Sequence, residues 1–325
     1  MTRTTISNGK QGMALIIALG LVALAGCGSS QWPASPLVVG EVVRFDGTQG
    51  KLSEGLAVRG RTAYMGYVGS GEVVTVDLDS GAVAPFATLP APVAGKGFVA
   101  GLAVHGDDLY GALVSFVPEV QAGVYRMSGA GGPAQLFAKH AEMAFPNGMA
   151  FDDAGQMYIT DSAAGAIFRV TTGGVVSKWL ADPLLAGGKD SCGEGMGVGV
   201  PFDIGANGIV IDGDTMFVSN TDKAQVVRIK IQSDGSAGAP ALLVPPSCAE
   251  LSGADGLALA PDGDLIVAVN HLNKLARVDR EGHVTPLAAG EPLDFPASLA
   301  FAGGALYISN FALLDAKYPA LLRIR

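Results

Sequence analysis

Residues 145–170 read FPNGMAFDDAGQMYITDSAAGAIFRV. Apolar positions come there in short bursts, GMAF, MYIT and AIFRV, separated by DDAG and SAAG. Bursts of that length, bounded by Gly, Asp and Ser, predict strands joined by tight turns, because alternation sends successive side chains to opposite faces of a sheet. The pattern occurs six times along the chain. Its first strand is SEGLAV from Ser53, VAGLAV from Val99, PNGMAF from Pro146, ANGIVI from Ala206, ADGLAL from Ala254 and PASLAF from Pro296. A turn and a second strand follow each time (AYMGYV, LYGALV, MYITD, MFVSN, LIVAVN, LYISN), then a third such as GEVVTVD, AIFRV or KLARVD. A weaker fourth strand, such as VVSKWLA or HVTPLAA, usually ends the unit.

Units of about 40–50 residues with four strands each predict a β-propeller. The sixth repeat stops at its third strand, ALLRIR, while an unpaired strand, LVVGEVVRF at Leu37 to Phe45, precedes the first repeat. Pairing these two would complete blade six and leave no open edge between the first and last blades. The expected fold is therefore all-β: a six-bladed β-propeller, closed by an N-terminal strand, forming a single domain over residues 37–325. Two β-sandwich domains would not account for six repeats in phase.

Composition agrees with this reading. In 325 residues there are 46 Gly and 18 Pro, 49% of positions are hydrophobic and 16% are charged. This suits many short strands and turns better than a disordered or helical chain. A net charge of −9 without basic clusters argues against nucleic acid or anionic lipid as the main partner.

The N-terminus changes the picture. Arg3 and Lys10 flank an apolar run, Met13 to Gly26, too short to span a bilayer comfortably. It ends in LAGC, Leu24 to Cys27, which resembles the lipobox of bacterial lipoprotein signals. That resemblance implies a signal peptide over 1–26, lipid on Cys27 as the membrane attachment, and a polar tether over 27–36. Gly28 after the cysteine implies the outer membrane, with the protein facing the periplasm or the exterior. An ordinary signal peptide or a short anchor helix is the alternative. Cys192 and Cys248 then share an oxidising compartment, where a disulfide is the expected fate.

In a propeller the first strand of each blade lines the central channel, so the residue before each repeat's glycine sits at the channel rim (Ser298 replaces that glycine in blade six). The six are Glu54, Ala100, Asn147, Asn207, Asp255 and Ala297. Two carboxylates and two amides facing one axis are a hard-oxygen set that suits Ca²⁺. Zinc would more often recruit His or Cys, which the ring lacks. Asn-Gly and Asp-Gly are also common turn dipeptides, but turn chemistry does not require convergence on an axis.

Glu in blade one, Asn in blades three and four and Asp in blade five resemble the calcium-dependent propeller hydrolases of the senescence marker protein/gluconolactonase group, which includes regucalcin. That group is related to the diisopropylfluorophosphatase and paraoxonase enzymes. The resemblance implies one central Ca²⁺ held by Glu54, Asn147, Asn207 and Asp255, with Asp255 as nucleophile or general base. It also implies hydrolysis of a small-molecule lactone or related ester.

Some positions depart from the pattern. KGFVAGLAV at the start of blade two offers no sugar-binding Arg or Asn-Asp pair, which favours a more apolar lactone or ester. Blade six presents SNFALLD where a phosphotriesterase of this fold would carry a histidine. The ends of the second strands place Tyr67, Phe116, Asp161, Asn220, Asn270, His271 and Phe311 near the mouth. Among them His271 is a candidate acid or base, or else a rim histidine. A Cys192–Cys248 bond would tie two neighbouring loops of that face into a wall. The expected state is a monomer. The alternative function is a non-catalytic propeller that binds a ligand or an envelope partner with the same face.

Overall fold

Six sheets of antiparallel strands follow one another along the chain. The computed structural model describes residues 1, 32, 37–188, 191–192 and 202–325. Apart from Met1 and Trp32, the expected signal peptide, Cys27 and the tether lie outside the described residues. Among the described residues no helix is long and apolar enough to cross a membrane.

Each blade is a meander whose innermost strand comes first. In blade three the order is Pro146–Phe151, Met157–Asp161, Ala166–Val170 and Val176–Ala181. Blades two, four and five repeat this order from inner strands Gly97–His105, Ala206–Asp212 and Ala254–Leu259. Blade one, from Ser53–Arg59, gains a fifth strand that the repeat pattern does not announce: Gly132–Pro133, from the turn of blade two, pairs parallel with its outer edge, Val83–Thr88. In blade six, Pro296–Ala302, Ala305–Asn310 and Ala320–Ile324 are joined by Val39–Arg44, which pairs antiparallel with Ala320–Ile324.

The core consists of apolar wedges between neighbouring blades rather than a single centre. Tyr110 and Val124 of blade two, for example, pack with Met157, Ile159 and Phe168 of blade three. Leu56, Met65 and Val76 of blade one pack with Tyr307 and Leu321 of blade six, so each sheet buries both of its faces.

At the axis the inner strands come closer than ordinary packing allows. A Cβ added to Gly55, Gly101, Gly148, Gly208 or Gly256 would fall within 3.0 Å of a carbonyl oxygen on the next blade, that of Ala100, Asn147, Asn207, Asp255 and Ala297 respectively. None of these five glycines has a positive φ. They are there for close approach, not for a turn. The dipeptides Asn147-Gly148, Asn207-Gly208 and Asp255-Gly256 therefore lie inside strands.

Every inner strand also shifts register at this point, for instance between Pro146 and Met149, Ala206 and Ile209, and Ala254 and Leu257. Such a bulge takes the ring residue and its glycine out of the ladder with the second strand. Hydroxyls satisfy the freed backbone groups. Gly148 N donates to Thr160 Oγ1 at 2.9 Å and Gly208 N to Ser219 Oγ at 2.8 Å. Thr160 in turn donates to Asn207 O, Ser219 to Asp255 O and Ser309 to Ser53 O, each crossing to the next blade.

Gly101→Ala should test this packing without replacing a polar ring residue. The methyl would meet the Asn147 carbonyl, and overpacking of this kind costs about 1–3 kcal/mol. A lower urea midpoint is expected. Gly69→Ala, where a Cβ has nothing within 4 Å, should stay within about 0.5 kcal/mol of the parent.

Candidate metal centre

The bulges turn Glu54, Asn147, Asn207 and Asp255 toward one cavity of about 340 Å³, and all four are buried. The cavity walls are apolar: Val68, Phe98, Phe145, Ile204, Phe295 and Phe311 line it. Asn147, Asn207 and Asp255 also border a smaller space of about 70 Å³ further down the axis, which Leu56, Leu102, Met149 and Leu257 line. The polar ring is thus the floor of the mouth and the ceiling of a narrower space below it.

Several contacts set the walls. Phe145 carries Phe98 at 5.0 Å and Phe202 at 5.4 Å, with Phe116 packed on Phe202 at 5.8 Å. Asp222 Oδ2 accepts from Gly188 N at 3.1 Å and Ile204 N at 2.7 Å. It thereby joins the two ends of the long insertion before blade four and places Ile204 on the wall. Phe295 adopts φ 50°, an unusual backbone for a bulky residue. Its N–H donates to Asn273 Oδ1 at 2.8 Å and its carbonyl accepts from Phe311 N at 3.2 Å. Cys192 and Cys248 are disulfide-bonded with Cα atoms 5.3 Å apart, which ties the insertion to the short helix Cys248–Leu251 before blade five.

The electrostatics of the floor are one-sided. Burial, and then the charge of Asp255, hold the Glu54 carboxyl well above its ordinary value, against a smaller lowering by the Asn147 amide. Burial pushes Asp255 up to about 7, opposed by the amides of Asn270 and Asn207. No Lys, Arg or His of the described residues lines the cavity. Two buried carboxylates without a protein cation are costly unless a positive charge joins them. With two amide groups beside them, the donor set fits a hard divalent cation such as Ca²⁺.

The ring residues have close neighbours just past the ends of the second strands. Asn147 Nδ2 donates to Ser162 Oγ at 3.3 Å, Asn207 Nδ2 to Thr221 Oγ1 at 3.0 Å, and Asn270 Nδ2 to Asp255 Oδ2 at 3.0 Å. Asn270 and Phe311 line the cavity as the strand ends imply. Asp161 and Asn220 do other work. Asp161 accepts from Ala144 N and Phe145 N, and Asn220 donates to the carbonyls of Leu184 and Ala186, so both fasten loops. Tyr67 packs edge-on against Phe45 in the wedge between blades one and six.

Sequence reasoning passed over Ser162 and Thr221, each one residue past the strand end it singled out. The bulge in the facing strand produces that offset, and the available signal was a hydroxyl residue at the same repeat position in two successive blades. His271 does not line the cavity. Its Nδ1 lies 3.3 Å from Ser252 Oγ, its ring is 6.0 Å from that of Phe295, and burial lowers its pKa. Asp279, Glu281 and His283 also bring ligand atoms within 4.8 Å of one another. They form a turn in which Asp279 Oδ1 accepts from the backbone of Glu281 and His283.

Part of this chain resembles known proteins. Residues 204–311, which hold Asn207, Asp255 and Asn270, match the family model described as SMP-30/Gluconolactonase/LRE-like region. No curated protein matches the chain. Among solved structures, regucalcin from Agrobacterium tumefaciens, described as a calcium-binding protein, is similar at 17% identity and TM-score 0.63, over 89% of this chain and 93% of that one. A gluconolactonase from Xanthomonas campestris is similar at 15% identity and TM-score 0.64, over 89% and 90%. An auxiliary nutrient binding protein from Bacteroides thetaiotaomicron is similar at 10% identity and TM-score 0.65, over 89% and 76%. Residues 204–311 thus carry the SMP-30/gluconolactonase/LRE-like region, within a six-bladed propeller whose fold is that of these solved structures.

Proposed function

We propose that the protein is a calcium-dependent hydrolase of lactones or related esters, held in the bacterial envelope by lipid on Cys27. The observation that carries the hydrolase reading is the convergence of Glu54, Asn147, Asn207 and Asp255 on the floor of one cavity whose walls supply no cation. The likeness of residues 204–311 to the gluconolactonase region supports it.

Glu54, Asn147, Asn207 and Asp255 would hold a divalent cation, which would supply the positive charge that polarises a substrate carbonyl. The chain's own groups do the rest. Asn147 and Asn207 present amide oxygens without adding charge, and Glu54 adds a second carboxylate. Asp255, ionised, would take the proton of a water whose oxygen bonds to the carbonyl carbon, while the C–O bond to the leaving alkoxide breaks and the alkoxide regains that proton. Alternatively it would itself attack that carbon, expelling the alkoxide and leaving an acyl-carboxylate that water then hydrolyses. Asn270 Nδ2 holds Asp255 Oδ2 and so limits rotation of that carboxylate. Phe98, Phe145, Ile204, Phe295 and Phe311 exclude water and receive the apolar part of the substrate. A polyhydroxylated sugar lactone would meet few partners there. His271, away from the cavity lining, takes no step.

The second reading is a propeller that binds an apolar ligand without turning it over. The apolar wall favours it, as does the similarity to a nutrient binding protein.

Three outcomes are expected. Purified protein should hold about one calcium per chain by elemental analysis, and Asn147→Ala should lose it. Asp255→Asn should keep the fold and lower turnover of apolar lactones or aryl esters by at least about 10²-fold. Full calcium binding with no turnover of any lactone or ester would select the second reading.

In chelator-stripped protein the raised carboxyls keep protons that the unfolded chain releases at the ordinary Asp and Glu values. Stability should therefore fall as pH rises from about 4 to about 7. Asp161, also raised by burial, acts in the same direction. The melting temperature should be lower at about pH 7.5 than at about pH 5.5, and calcium should narrow the gap. A flat profile would contradict the raised carboxyls.

For the anchor, Cys27→Ser should move the protein from the membrane fraction to the soluble fraction of bacteria that express it. An unchanged distribution would exclude lipid on this residue.

A further inference from the structure

In blades three, four and five a polar side chain stands one residue past the end of the second strand: Ser162, Thr221 and Asn270. Each contacts the ring residue of its own blade. By pairing register the equivalent residues are Val114 in blade two, inside its longer second strand, and Phe311 in blade six, in apolar clusters with the ring residues Ala100 and Ala297. Blade one carries Val68 there, and Glu54 has no such partner. Polar supports thus occur only where the ring residue is Asn or Asp.

We propose that Ser162, Thr221 and Asn270 are positioning residues of the cation ring. They orient Asn147, Asn207 and Asp255 toward the axis, and Ser162 and Thr221 also lock each ring position to the next blade. This rests on the cation-binding reading of the ring.

The polarity of the hydroxyls carries the inference. An amide has an oxygen end and a nitrogen end of nearly equal size, and only the oxygen can face a cation. A hydroxyl that is free to choose would accept the amide nitrogen or donate to the amide oxygen. Ser162 is not free, because its one proton goes to Ala206 O at 2.8 Å, on the next blade. Thr221 likewise gives its proton to Ala254 O at 2.9 Å. Each hydroxyl is left only as an acceptor, so it takes Nδ2 of its asparagine and turns Oδ1 the other way.

The two carbonyls belong to the residues immediately before Asn207 and Asp255. A single hydroxyl therefore sets the amide of one blade and the backbone entering the ring position of the next. The links run in sequence from Asn147 through Ser162 to blade four, and from Asn207 through Thr221 to blade five. There Asn270, facing a carboxylate instead of an amide, donates rather than accepts. Its own Oδ1 has no hydrogen-bond partner. It lies where a Cβ on residue 253 would come within 3.0 Å, so Gly253 is what leaves room for this orientation.

Calorimetric titration of the chelator-stripped full protein with calcium alone tests the assignment. Thr221→Val keeps the shape and removes the hydroxyl. Its calcium affinity should fall by ~10–100-fold, the usual effect of losing a group that orients a metal ligand. Thr221→Ser should restore most of it. Ser162→Ala should repeat the loss from a different blade, which covers the case in which Thr221→Val folds poorly. Near-ultraviolet circular dichroism of the stripped variants separates this from general disruption, since a merely structural role would alter the stripped protein and leave the affinity of the folded fraction intact. Wild-type affinity in both hydroxyl-less variants, or a serine variant no better than the valine one, would overturn the positioning role. A parent protein that binds no calcium would overturn the cation reading itself, and this inference with it.

Discussion

The close approach of six inner strands around one axis is the constraint on which the rest of the structure depends. Gly55, Gly101, Gly148, Gly208 and Gly256 each face a carbonyl of the next blade where a side chain would otherwise stand. To reach that contact every inner strand breaks register with its own second strand at the same place. The residue before the glycine is thereby lifted out of the ladder and turned toward the channel. The device that closes the ring therefore also gathers Glu54, Asn147, Asn207 and Asp255.

That gathering creates an electrostatic problem. Glu54 and Asp255 are buried together, with no lysine, arginine or histidine among the described residues that line the cavity. Their carboxyls are consequently held above their ordinary values. A folded protein tolerates such a pair by protonating it or by admitting a cation, and the neutral amide oxygens beside it favour the cation. Above this polar floor the aromatic wall leaves little for a sugar to bond to. Polarity confined to the floor and apolar surface around it are what the proposed substrate, an apolar lactone or ester, would need.

The fold was largely legible. Alternation and turn residues identified the strands, and their recurrence identified the blades, because each blade must solve the same burial problem. The ring positions were legible too, since they fall at one place in the repeat. What failed to transfer was the strand-end count. Asp161 and Asn220 look like supports for the ring, yet the bulge opposite moves that role one residue on, to Ser162 and Thr221. His271 is polar and sits beside Asn270, but the short turn Asn270–Leu272 takes it off the cavity lining. The extra strand Gly132–Pro133 had no signal at all, because it is a turn that happens to lie along the edge of blade one.

By itself the sequence determined the number of blades, the kind of side chain at each ring position and the apolar character of the blade-two rim. All three follow from local composition repeated at a fixed interval. Only the tertiary structure decided that the asparagine-glycine pairs are strand residues rather than turns, since the atom that excludes a Cβ belongs to the next blade. It also decided which hydroxyls support which amides, because those bonds join residues fourteen or more positions apart in sequence. Repetition along a chain specifies what each blade contains. The contact between blades specifies what those residues face.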